Sequence, residues 1–268
     1  MGMVPDLQLY KDFHLRWHFS GERWRQNAED HFEIFYGTCS RAPMDFRSEC
    51  VQAAKDLEKI STLPIAVLFS GGVDSEIICR SFKNAGVPFL AIIFRFRDGL
   101  NEHDVSYALS ICQRHAWKYE VIEFDIVSWL DREMYGLAQQ YQIIHPEYSV
   151  HMRMIEMASE LGYFPIDGRG DISLVRDGDL LTWDETEESL MPTKFMIENG
   201  IEGCPRFFKF SPELIYSWLT DSMMVRWVKY HVPLKMRTSH DFKSIIYSSY
   251  WEDLEPRIKY TGFERVMK

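Results

Sequence analysis

Ser70-Gly71-Gly72-Val73-Asp74-Ser75 is the stretch whose residue types and spacing point to chemistry. Two adjacent glycines let the backbone turn tightly and aim successive N–H groups at one point. An apolar run, Ile65 to Phe69, precedes them, and a helical pattern, Ser75 to Ala85, follows. The positive end of a helix is thereby added to the same place, and Ser70 and Ser75 bring hydroxyl donors. The combination suits a phosphate. Asp74 would repel a bare phosphate, but its carboxylate makes sense beside phosphates if it holds Mg2+. Neither G-x-x-x-x-G-K-[ST] nor G-x-G-x-x-G occurs in the chain, so the Walker loop and the dinucleotide fingerprint are both excluded.

The elements around this loop alternate. Apolar runs at 65–69 and 89–94 and the stretches 119–124 and 163–166 read as strands, and 75–85, 101–115 and 146–161 as helices. Gly86 with Pro88, and Gly162, act as helix stops. Asn101 with Asp104 reads as a capping pair. The alternation predicts an α/β fold, a parallel doubly wound sheet. Such sheets bind ligands at the carboxyl ends of their strands. There lie Ser70 to Ser75 after the first strand, Arg95 and Arg97 after the second, Asp125 after the third, and Asp167 to Asp171 after the fourth. Arg95 and Arg97 read equally as a solvated strand end, and Asp125 as a turn former. His145 and His151 fall on different faces of their helix and make no metal pair.

Residues 1–62 read as an irregular N-terminal extension of unassigned role with a helix at 46–59. Residues 63–190 read as an α/β unit carrying the phosphate loop, and 191–268 as a helical C-terminal region. Residues 172–183 read as a β-hairpin turning at Asp177-Gly178. Ser211-Pro-Glu213 starts a helix running to about Tyr230.

Composition narrows the class. At 46% hydrophobic and 26% charged residues, the 268-residue chain is globular rather than disordered. Its net charge of −10 counts against a protein held on nucleic acid by electrostatics alone. The charge is uneven, acidic over 167–202 and basic over 226–268. These are either solvated faces of opposite sign or a basic tail closing over something anionic. Five cysteines without a C-x-x-C pair read as free thiols in a reducing compartment. No apolar run reaches the ~18 residues of a membrane helix, and MGMVPDLQLYKDFH has no leader pattern. The expected location is the cytoplasm, with no membrane partner. Oligomeric state is not legible.

Ser70–Ser75 resembles the pyrophosphate loop of the N-type ATP pyrophosphatase (PP-loop) superfamily. Two further stretches are similar to the synthetase domain of asparagine synthetase. Tyr163-Phe-Pro-Ile-Asp-Gly-Arg-Gly-Asp171 is similar to its G-E-G-x-D-E loop. Lys243, followed by Trp251 to Glu264, is similar to its lysine-bearing ending. The resemblance spans about residues 63–264 and implies a sheet of the adenine nucleotide alpha hydrolase-like type. It implies an AMP- and pyrophosphate-forming ligase that adenylates an acceptor carboxylate and transfers it to ammonia or an amine. The implied cofactors are ATP and Mg2+. By the same resemblance Ser70, Gly71, Gly72, Val73, Asp74 and Ser75 hold the phosphates, and adenine lies against Ile93 and Phe94. Asp74 and Asp171 share the metal, and Lys259, with Arg257 beside it, neutralises the α-phosphate.

The chain departs from that pattern in two ways. Arg169 and Ile172 stand where acidic residues are expected, which assigns Arg169 to clamping an anionic substrate or the pyrophosphate. Sixty-two residues starting Met-Gly-Met are too few for a glutamine-hydrolysing domain, so ammonia would come free or from a separate glutaminase. The alternative activity is a tRNA- or nucleobase-modifying ATP pyrophosphatase that replaces oxygen by nitrogen or sulfur. The acidic charge and the absence of clustered cysteines weigh against it, and Cys204 is its candidate sulfur carrier. A non-catalytic nucleotide sensor is the third class.

Overall fold

The structure, a computed structural model, describes residues 10–20, 31–169, 173–177, 180–184, 187–222, 224 and 239–255. Three short strands come first, β1 (Tyr10–Asp12), β2 (Leu15–Ser20) and β3 (His31–Phe35), paired as an antiparallel sheet. This corrects the irregular reading of the N-terminal stretch. Leu15 and Trp17 alternate inward along β2 and are fully buried, the period-2 pattern of a strand with one covered face. Helix α1 (Phe46–Ile60) follows, with Asp45 as its cap accepting from Ser48 N–H.

The central unit runs β4 (Ile65–Leu68), α2 (Val73–Ala85), β5 (Leu90–Phe96), α3 (Glu102–His115), β6 (Tyr119–Phe124), α4 (Ile126–Trp129), α5 (Tyr135–Gln140), α6 (Pro146–Glu160) and β7 (Phe164–Ile166). A π-helical turn at Leu130–Met134 joins α4 to α5. The sheet order is β6-β5-β4-β7, all parallel. Successive residues of β4 serve opposite cores: Ile65 and Val67 join one, Ala66 and Leu68 the other. Both faces of β4 are covered, which is why it reads as an unbroken apolar run, whereas the edge strand β6 is largely exposed.

The chain continues as the hairpin β8 (Ser173–Asp177) and β9 (Leu180–Asp184), then α7 (Met191–Glu198), α8 (Pro212–Leu219) and α9 (Ser239–Tyr250). The first core lies between the sheet and helices α1, α2, α3, α8 and α9, and the second is closed by β2, α6 and α7. Helix α8 starts at its Ser211 cap as read, but it ends at Leu219 rather than near Tyr230. The hairpin strands are paired in register, while Gly178 lies outside the described residues. No described helix is long and apolar enough to cross a membrane.

Winding proceeds from β4 to β5 to β6, then returns to β7 on the other side of β4. The direction therefore reverses at β4, and the crevice beyond its carboxyl end is where doubly wound sheets bind ligands. Ser70 to Ser75 occupy that end.

Candidate functional site

The loop after β4 is shaped by a close approach. Phe69 N–H donates to Ile92 O at 2.7 Å, completing the sheet. The chain then turns through Gly71, with φ +76°. A Cβ there would lie 2.6 Å from Asp104 O and 3.0 Å from Ala108 N of α3, so any side chain would have to displace helix backbone. Gly72 caps α2 without a side-chain bond. Ser75 Oγ donates to Gly72 O at 3.0 Å and lies 3.3 Å from Ser70 Oγ. Gly72 N–H in turn donates to Ser70 Oγ at 3.3 Å. The two serines thus brace the loop across its mouth. Val73 is buried in the first core, and its part in any site is played by its backbone. The start of a 13-residue helix behind such a loop attracts an anion.

Asp74 is met from far along the chain. Lys243 Nζ donates to Asp74 Oδ2 at 3.1 Å, and Tyr247 Oη donates to Asp74 Oδ1 at 2.7 Å. Both come from α9, one helical turn apart, and both are buried, Lys243 at 9% and Tyr247 at 2% exposed. The resemblance included Lys243 in its C-terminal stretch but assigned the lysine role to Lys259, and it did not single out Tyr247. Lys259 and Arg257 lie outside the described residues. The signal available was spacing: Lys243, Ile246 and Tyr247 share the buried face of α9.

The end of β7 closes over the loop. A Cβ on Gly168 would sit 3.8 Å from Ser75 N, 3.9 Å from Asp74 Cβ and 2.9 Å from Ile78 Cδ1. Asp167 is tied down by its backbone, its N–H donating to Cys204 O and its carbonyl accepting from Phe207 N–H. Its carboxylate pairs with His151 Nδ1 at 2.9 Å. Burial pushes this carboxyl up, but His151 and Arg169 outweigh it and hold it below the usual aspartate value. Arg169 is engaged by residues of α6. Its guanidinium lies 4.4 Å over the Tyr148 ring and 3.5 Å from Glu147, at the start of α6, so it is engaged at the rim of the crevice. Asp171 and Ile172 lie outside the described residues.

Within β5, Ile93 and Phe94 are buried. The Phe94 carbonyl accepts from Asn101 Nδ2 at 2.9 Å, and Phe96 N–H donates to Asn101 Oδ1 at 2.8 Å. The Asn101 side chain therefore extends the sheet edge where β4 has ended. It makes no cap bond to α3, which corrects the capping-pair reading. Arg95 pairs with Glu102 at 3.1 Å and Arg97 with Asp125 at 2.6 Å. Asp125 caps α4 through Ser128 N–H. These charges hold the strand ends. Cys204 is fully buried, and burial pushes its thiol well above the ordinary range. That suits a core residue and not a sulfur carrier.

Among the described residues no group of three or more His, Cys, Asp and Glu side chains is arranged to hold a metal ion. Asp74 is the loop carboxylate. Mg2+ keeps several waters and takes one or two carboxylates plus substrate phosphates, so a single loop carboxylate fits a cation that arrives with a polyphosphate.

No protein-family model matches the chain, and no curated protein matches it. Among solved structures it is similar to an NMN synthetase from Francisella tularensis, at 13% identity and TM-score 0.37, over 82% of this chain and 90% of that one. It is also similar to an NH3-dependent NAD synthetase from Campylobacter jejuni, at 14% identity and TM-score 0.36, over 81% of this chain and 100% of that one. A predicted subunit of a tRNA methyltransferase from Methanocaldococcus jannaschii matches at 18% identity and TM-score 0.34, over 57% of this chain and 72% of that one. These similarities are weak and carry no assignment.

Proposed function

We propose that the chain is an ATP-dependent ligase of the PP-loop kind, forming AMP and pyrophosphate. It adenylates an acceptor carboxylate and passes the acyl group to ammonia or an amine. The observation that supports this most is the pairing at Asp74. A glycine cradle at the winding reversal carries a carboxylate and a buried lysine side by side. That pairing suits a ligand with both anionic phosphates and a bound cation.

In this reading the backbone from Ser70 to Ser75 and the start of α2 hold the β- and γ-phosphates. Asp74 would hold Mg2+, which supplies charge neutralisation on the phosphates when bound. An acceptor carboxylate oxygen bonds to the α-phosphorus as the bond to the bridging oxygen breaks and pyrophosphate leaves. The nitrogen nucleophile then bonds to the acyl carbon, loses a proton, and AMP departs. Lys243 neutralises charge that builds on the α-phosphate, the role the resemblance gives to Lys259. Fixed cations of this kind contribute roughly 2–4 kcal/mol to a transition state. Arg169, beside Glu147 and Tyr148, would meet the anionic acceptor.

The test is product formation from Mg-ATP, with ammonium or simple amines, across pools of amino acids, other small carboxylates and bulk tRNA. Asp74→Ala serves as the control. Amide formation with one carboxylate pool, absent in the variant, is the expected result. Turnover with tRNA alone would replace this reading by the nucleobase-modifying one.

A further inference from the structure

Tyr247 has its two ends in different places. Its hydroxyl donates to Asp74 Oδ1 at 2.7 Å. Its ring lies in the first core, stacked on Phe46 of α1 at 5.9 Å and on Phe208 at 6.1 Å, with Trp218 of α8 at 5.5 Å. Packing therefore fixes the ring while the loop fixes the hydroxyl. Lys243, one turn earlier on the same helix, holds the other carboxylate oxygen. Any turn of the Asp74 carboxylate toward a new partner must strip a buried phenol of its acceptor, which is costly, or move α9. Close-packed cores respond to such a demand by shifting as units.

We propose that Tyr247 is a positioning residue that couples occupancy of the loop to the placement of α9; this rests on the loop being a nucleotide site. In the free chain Tyr247 and Lys243 hold Asp74. When a nucleoside triphosphate with its divalent cation enters, the carboxylate turns from both groups, α9 repacks against Phe46 and Trp218, and Lys243 exchanges the carboxylate for phosphate. The lysine is thereby delivered only when the cradle is filled.

The experiment is hydrogen exchange on the full chain, with and without Mg2+ and α,β-methylene-ATP, alongside nucleotide binding by equilibrium dialysis. In the wild type, exchange across 239–255 changes by roughly fivefold, the factor one net hydrogen bond is worth. Tyr247→Phe keeps nucleotide binding and loses that change. Tyr250→Phe, a substitution on the same helix that removes the bond from Tyr250 to Asp221 beyond α8, keeps the change. Equal changes in wild type and Tyr247→Phe overturn the coupling. So does wild-type nucleotide binding with unaltered exchange in 239–255, a result that needs no variant to fold. A wild type that binds no nucleotide overturns the reading of the loop itself.

Discussion

Asp74 and Lys243 stand 169 positions apart in the chain and meet at 3.1 Å. One belongs to the first turn of the helix behind the glycine loop, the other to the last described helix. The pair therefore joins the glycine-loop half of the fold to its C-terminal region. It is a stability contact as well as a candidate catalytic pair, and the two roles separate by experiment.

A double-mutant cycle with Asp74→Asn and Lys243→Met measures the first role. The pair is largely shielded from solvent. Its coupling energy should be about 1–3 kcal/mol, the range for contacting charged groups. Urea denaturation of the four proteins reads it. Additive effects of the two substitutions would mean the pair contributes nothing.

Gly71→Ala and Gly86→Ala separate strain from collision. Both glycines have positive φ, +76° and +73°, but a Cβ at Gly86 meets nothing within 4 Å. Gly86→Ala should cost about 1–2 kcal/mol, the left-handed penalty alone. Gly71→Ala must also displace Asp104 O, so it should cost clearly more and abolish nucleotide binding. Denaturation midpoints and equilibrium dialysis test both; equal costs would contradict the close approach.

Asn101→Ala removes an amide that serves two buried backbone groups, Phe94 O and Phe96 N–H. Leaving such groups without a partner costs about 1–3 kcal/mol each. The expected loss is therefore larger than the roughly 1 kcal/mol of a surface cap. Thermal denaturation of the variant beside Ser211→Ala, a true cap at α8, gives the comparison.

Asp12 supplies a pH dependence. Burial raises its carboxyl from 3.8 to about 6, with Arg206 opposing. The folded state then keeps this proton after the unfolded chain has lost it, so stability falls as pH rises from about 4 to about 6. Two pH units of separation correspond to about 3 kcal/mol. Asp12→Asn should remove this falling component, so that stability rises more with pH in the variant than in the wild type across that window, read from denaturant midpoints at several pH values. His14 nearby has the opposite sign: burial lowers its pKa, so it favours stability as pH rises. Its contribution remains in the variant beside that of Asp45, Asp56, Asp167, Glu188, Glu213 and Asp253, whose carboxyls are held below their usual values and also favour stability as pH rises.

The central sheet and the loop were legible because both obey local rules. Strands covered on two faces are unbroken apolar runs, and Gly86 and Gly162, at φ +73° and +82°, end helices as glycines do. The N-terminal sheet was not legible. Its buried face shows as little as Leu15 and Trp17 in β2, and the β1–β2 turn uses Phe13 at φ 48° instead of glycine or asparagine. Asn101 misled because an asparagine before a helix ordinarily caps it, whereas here the bare end of β5 claims the amide. The pairing of Lys243 and Tyr247 with Asp74 was not legible because it is set by tertiary folding, and a lysine on a buried helix face breaks the pattern by which a core is recognised.

The most direct test is the identity of the products when Mg-ATP labelled at the α-phosphate turns over in the presence of the acceptor pools. Labelled AMP with stoichiometric pyrophosphate, lost in Lys243→Met by a factor of about 100–1,000 while the protein stays folded, is the predicted result. ADP and inorganic phosphate as products would contradict the account.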